Sequence, residues 1–193
     1  MNKLKELVVI VTFTMVFSSM LMIIIENPHV FAIEYSNEKC GVSFQYQKEW
    51  KVENDDYKTE SVRSFVTIYP NPDDNTNQIA IKIYDISDYN EKTIEYVSEV
   101  FKPDDYLGEI ETHILQDDII QVNGFPAQRL AYSDMFEGSQ TYIREINILA
   151  YDKVYQISLE AEDGQKFYQY SSVVDEIANS IKISQPTFEG VNC

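Results

Sequence analysis

The feature that most constrains the fold is a change of period near the C-terminus. "QTYIREINILAYDKVYQISLEA" reads as two strands turning near Asp152-Lys153, rich in β-branched and aromatic residues. It runs directly into "DGQKFYQYSSVVDEIANSIKI", where Phe167, Tyr170, Val174, Ile177, Ala178 and Ile181 fall on one stripe at helical spacing. Asp163 is the candidate N-cap of this helix. An apolar stripe of that length must be buried, and the preceding strands are the nearest apolar surface.

The rest of the chain repeats this grammar. "VSFQYQ" sets Val42, Phe44 and Tyr46 on one side at the two-residue period, and Trp50 and Val52 follow a turn at "QKE". These aromatics alternate as core-facing strand residues do, with Trp50, beside a turn, expected to keep its N–H near solvent. "VRSFVTIYP" and "QIAIKIYDI" flank the turn-forming "NPDDNTN" and predict a hairpin, with Ile79, Ile81 and Ile83 on one side. "NEKTIEYVSEVFKP" predicts a helix with Asn90 as N-cap, Ile94, Val97 and Phe101 on its apolar side and Pro103 as its stop. Asn123-Gly124 in "HILQDDIIQVNGFPAQRLAYSD" predicts a tight hairpin turn with both central φ angles positive. Strands, helix, strands, helix, joined by hairpins, predict an α+β domain: a central antiparallel sheet with its faces covered by two helices.

Lys3 and Lys5 precede an uncharged, mostly apolar run from Leu7 to Ile25, followed by Pro28 and "VFA". Residues 1–32 are therefore expected to be a signal peptide cut after Ala32, with an uncleaved anchor as the alternative, since the run approaches the ~20 residues that span a bilayer. Both readings put the remainder outside the cytoplasm. Residues 33–184 are expected to form a single domain and 185–193 a tail. Cys40 and Cys193 would both meet an oxidising compartment, where an intramolecular disulfide and two free or intermolecular thiols are the alternatives.

A formal charge of -17 argues against nucleic acid and anionic lipid as partners and leaves cationic proteins and metal ions. Asp73, Asn75 and Asn77 have the spacing that opens a calcium loop, which makes calcium the candidate ligand. Gln78 stands where such a loop wants glycine, and Tyr84 where its bidentate glutamate belongs, so a polar hairpin turn is the competing reading. No nucleophile elbow or phosphate-cradling glycine loop occurs. Zinc or iron is disfavoured, because His113 is the sole histidine past residue 32 and the cysteines are distant.

"CGVSFQYQKEWKVE" resembles the start of a PsbP-like domain, where a Gly-hydrophobic-x-Phe-x-Tyr strand leads into a turn and a tryptophan; Gln47 stands where proline is common. The "VNGFPAQRLAY" hairpin and the closing strand, helix and "SIKI" extend the resemblance from about Gly41 to Ile183. The resemblance implies an α-β-α sandwich and a non-catalytic role. The best-known members are extrinsic proteins of photosystem II that help retain calcium and chloride. Metal sites of plant members use histidine and carboxylates, and His113 does not match them residue by residue. The function expected is an exported accessory domain that associates with a protein partner at the outer face of the membrane. A calcium or small-ligand binding module is the alternative.

Overall fold

The computed structural model describes residues 32–55, 58–59, 62–74, 76–103 and 111–187, the side chains of 64 and 65 excepted. Residues 1–31 of the expected leader, Asn75 and Cys193 lie outside the described residues. The chain divides into two units, Met1–Ala32 and Ile33–Cys193, and the second is the one described.

Among the described residues ten strands and two helices follow one another: β1 (Ala32–Asn37), β2 (Val42–Gln47), β3 (Lys51–Asn54), β4 (Val62–Tyr69), β5 (Gln78–Asp85), α1 (Ile94–Val100), β6 (Glu111–Val122), β7 (Phe125–Phe136), β8 (Ser139–Ala150), β9 (Lys153–Ala161), α2 (Gly164–Ser180) and β10 (Lys182–Ile183). Seven strands form an antiparallel sheet in the order β3-β4-β5-β9-β8-β7-β6. The α+β class with two helices on a mainly antiparallel sheet is as expected. The single pleated layer is not: β2, which carries Val42, Phe44 and Tyr46, belongs to a separate small sheet of order β1-β2-β10. Periodicity identifies a strand and its buried side, but partners come from chain segments distant in sequence, here Lys182–Ile183.

The α2 stripe is buried as its spacing predicts: Phe167, Tyr170, Val174, Ile177 and Ala178 are all inaccessible, joined by Val173. The helix packs on β8 and β9 of the main sheet and also on β2 of the small one. Facing it are Ile79, Ile81, Ile83, Ile146, Ile148, Tyr155, Ile157 and Leu159, which with Phe44 and Trp50 make one apolar cluster. Trp50 joins the core cluster, and Tyr46 is half-buried at its margin. Asp163 caps α2 by accepting from the Lys166 N–H at 2.8 Å.

Helix α1 starts later than predicted. Thr93, not Asn90, is its N-cap; the Thr93 backbone is extended and its hydroxyl accepts from the Tyr96 N–H at 3.3 Å. Both residue types can cap, and the one immediately before the first buried side chain, Ile94, takes the position. Phe101 closes the helix as its C-cap. The β6–β7 turn has φ +50° at Asn123 and +89° at Gly124, as expected. The β8–β9 turn falls one residue before its predicted place, at Tyr151 (+53°) and Asp152 (+58°), and the β7–β8 turn uses Glu137-Gly138 in the same conformation.

Gly41 shows why the motif before β2 begins with glycine. Its φ is +67°, and a Cβ there would run into the Ser184 carbonyl oxygen. The Ser184 N–H donates to the Gly41 carbonyl at 2.8 Å, closing the small sheet around the exit of α2. Gly41→Ala is expected to destabilise the domain by at least ~2 kcal/mol, because a disfavoured backbone region and a backbone clash add. Urea unfolding measures this; a midpoint equal to that of the parent protein would refute it.

Candidate functional site

The two faces of the main sheet differ in chemistry. The α2 face is apolar. On the opposite face α1 covers only one corner, where Ile94 and Val97 pack with Ile86 and Val154, flanked by Tyr84, Phe101 and Leu149. Next to that corner runs a ladder of side chains across five strands. The Tyr84 hydroxyl donates to Gln156 Oε1 (3.1 Å), Gln156 Nε2 to Asn147 Oδ1 (3.0 Å), Asn147 Nδ2 to Gln128 Oε1 (3.3 Å), and Gln128 Nε2 to Asp117 Oδ1 (2.9 Å). Gln128, Asn147 and Gln156 are buried, and each amide spends its donor and its acceptor on a neighbour, which removes the desolvation cost of unpaired polar groups.

Beyond the ladder the face stays polar. Thr67, Ala80, Ser158 and Glu145 are register partners in one cross-strand row, and Gln78 pairs with Glu160 in the next. A cleft of about 330 Å³ opens here, lined by Thr67, Gln78, Ala80, Lys82, Ser158 and Glu160, with Asp55 also touching it. Glu145 is only 8% exposed and accepts a long hydrogen bond from the Ser158 hydroxyl (3.5 Å). Burial pushes its carboxyl up to about 7, against the opposing pull of an Asn147 hydrogen bond, the Lys82 charge and Ser158. Tyr132 is raised as well, first by burial and then by the nearby Glu145, Asp134 and Glu160.

A second feature is an edge strand with no further partner among the described residues. β6 spans Glu111–Val122 at one end of the sheet, its register interrupted by the extra residue Leu115. Ile114, Leu115 and Ile119 are about half exposed along it, and Met135 and Phe136 are exposed on the adjoining β7. A long apolar edge is uncommon, because unpaired strand groups recruit other strands. The opposite edge, β3, is four residues long and carries Lys51, the usual protection.

The residues singled out for calcium do not form a described cluster. Asp73 is exposed, and Asn75 lies outside the described residues. Asn77 is buried and gives its amide to Asp74 Oδ2 at 2.8 Å. The turn is organised by Asp74, which the calcium spacing skips: its carboxylate accepts from Lys166 Nζ (2.8 Å), from the Thr76 N–H and hydroxyl, and from Asn77. Lys166 above all, with Thr76, holds this carboxyl far below its usual range. The effect is to tie the β4–β5 turn to the first turn of α2. Among the described residues no group of three His, Cys, Asp or Glu is disposed to hold a metal. His113 is exposed on β6 beside Glu111. Cys40 is fully buried and is not a free thiol.

Sequence reading missed Glu145, Lys82, Ser158 and Glu160. The available signal was an acid inside an otherwise apolar strand, "YIREINILA", since alternation sends Arg144 and Glu145 to opposite faces. Arg144 indeed faces α2 and grips Asp175 with Nη2 at 2.8 Å from both carboxylate oxygens.

Burial of Glu145, opposed by the Lys82 charge and by its hydrogen bonds, sets a pH response. Because its folded value lies above the ordinary 4.5, the folded state holds the proton more tightly. Its stabilising contribution is therefore complete below about pH 4.5 and is lost as pH rises to about 7, on the order of 3 kcal/mol in all. The depressed Asp74, Asp85 and Asp118 act in the opposite sense and only at acid pH. Glu145→Gln is expected to flatten the thermal-midpoint profile between pH 5 and 7 and to raise the midpoint at pH 7.5. A slope that persists in the variant would remove Glu145 as its source.

No protein-family model matches the chain, and no curated protein matches its sequence. Solved structures do match in fold. The solution structure of cyanobacterial PsbP (CyanoP) from Synechocystis sp. PCC 6803 aligns with a TM-score of 0.58 at 16% identity, over 80% of this chain and 93% of that one. LpqN, involved in cell envelope biogenesis of Mycobacterium tuberculosis, aligns at 0.56 with 14% identity, over 83% and 94%. PA94 from Pseudomonas aeruginosa, a protein of unknown function and putative regulator, aligns at 0.50 with 14% identity, over 81% and 99%. At such identities the likeness concerns the fold alone, and on that ground the chain has the PsbP-like α+β architecture that its sequence leads one to expect.

Proposed function

We propose that this is a non-catalytic binding domain that acts outside the cytoplasm and docks a protein partner on the open edge of β6. The observation that carries the reading is the twelve-residue edge strand with Ile114, Leu115 and Ile119 half exposed, in a domain whose other apolar side chains are largely buried. An extended segment added beside β6 would pair its free backbone groups and cover those side chains. Charge selects the occupant. The chain carries a formal charge of -17, so a second copy meets a like-charged surface while a cationic strand meets an opposite one.

The expected leader and the state of Cys40 support the location, since disulfides persist in oxidising compartments. A bridge from Cys40 to Cys193 belongs to this proposal, and peptide mapping under non-reducing conditions tests it: a linked pair of peptides is expected, and two alkylated thiols would exclude it.

Docking is tested by capture of solubilised envelope proteins on the immobilised full-length chain. A cationic partner is expected that elutes with salt and is lost on Leu115→Lys or Ile119→Lys. Recovery of no partner, or undiminished capture by both variants, would overturn the reading.

A further inference from the structure

The cleft on the polar sheet face is independent of the β6 edge. Its floor is made of short side chains in one row, Thr67 of β4, Ala80 of β5 and Ser158 of β9. Longer side chains rise at its two ends. Lys82 is paired in register with Gln156 at one end, and Gln78 with Glu160 at the other. Gln156 and Glu160 are four residues apart on β9, which separates the two ends by about 13 Å along the strand.

The charges at these ends have no ion-pair partner among the described residues, while Lys82 also acts through space on Glu145. Lys51, Lys92, Lys102, Lys153, Lys166 and Lys182 each make an ion pair, as do Arg129 and Arg144. Lys82 and Glu160 both line the cleft, and neither makes an ion pair or a side-chain hydrogen bond among the described residues. They stand too far apart along the strands to satisfy each other. Between them the Ser158 hydroxyl donates to the buried Glu145 carboxyl, which leaves its lone pairs directed to an incoming N–H. Thr67 and Gln78 supply further donors and acceptors. A cleft of about 330 Å³ sits at the small end of the range for ligand sites, roughly 300–1,000 Å³.

A ligand that satisfies this layout carries one positive and one negative end, a polar middle with N–H and C=O groups, and a length of about 7–10 Å, that of two or three extended residues. We propose that the cleft binds a short zwitterionic peptide of two or three small residues, its carboxylate on Lys82, its ammonium on Glu160, and its backbone against Thr67, Gln78 and Ser158. Small side chains are required because the cleft holds only about 330 Å³. Selectivity comes from both termini together: removing either charge strands one partner in the cleft.

Calorimetric titration of the full-length chain in mild detergent with trialanine, N-acetyl-trialanine and trialanine amide tests this. Saturable binding of trialanine is expected, with each blocked peptide at least ~10-fold weaker. Lys82→Met should abolish the discrimination against the amide, and Glu160→Gln that against the acetylated peptide, each titrated well below its own thermal midpoint. The crossed pattern cannot arise from misfolding, which would weaken all three peptides alike. No heat from trialanine up to about 10 mM, equal binding of the blocked peptides, or variants that leave the discrimination unchanged would each overturn the assignment.

Discussion

The domain is organised by one contact surface, the apolar stripe of α2 against the isoleucine-rich face of β5, β8 and β9. Phe167, Val174 and Ile177 meet side chains that are themselves almost entirely buried, and each large apolar group so buried is worth about 1.5–3 kcal/mol. The helix is held at both ends by polar devices. Asp163 and the Asp74–Lys166 pair fix its start, and Asn123, whose amide donates to the carbonyls of Asn179 and Ile181, fixes its end. The small sheet then wraps the exit of the helix, because Gly41 lets Ser184 approach closely enough to pair.

With one face committed to packing, the other can be polar. A sheet this wide that was apolar on both sides would need two large helices, and α1 has only two turns. The structure meets this with a small apolar cluster under α1 and a ladder of amides beside it. Gln128, Asn147 and Gln156 are buried without being orphaned, since each uses its neighbour across the strands. Such a network fixes strand register more sharply than apolar contacts do, because a slip of one residue would leave several buried amides unpaired. Glu145 is the member that gains least from it: a long contact with Ser158 and one amide offset only part of its burial.

The two candidate surfaces have different physical origins. The β6 edge is a consequence of topology, since the last strand of an open sheet has an unpaired side; its apolar residues and length make it unusual among edges. The polar cleft is a consequence of side-chain size, since a row of short residues lies between taller charged ones. Neither is signalled by a motif. Of the residues that do match a motif, Asn77 gives its amide to Asp74, a residue the motif skips and one that also holds Lys166.

How much was readable follows from the range of each interaction. Period-two alternation placed Ile79, Ile81 and Ile83 inward, 3.6-residue spacing placed the α2 stripe, and Asn123-Gly124 placed a turn, because all three depend on residues within one element or its immediate neighbours. The cap of α1 slipped by three residues, since two capping residue types competed and burial of Ile94 decided between them. The sequence by itself therefore determined the elements, their apolar sides and the α+β class. Tertiary structure alone decided that β2 leaves the main sheet to pair with β10, that Lys82 and Glu160 face one cleft unpaired, and that β6 is an edge. Strand partners and cross-strand neighbours are set by contacts between residues dozens of positions apart, and no local pattern encodes them.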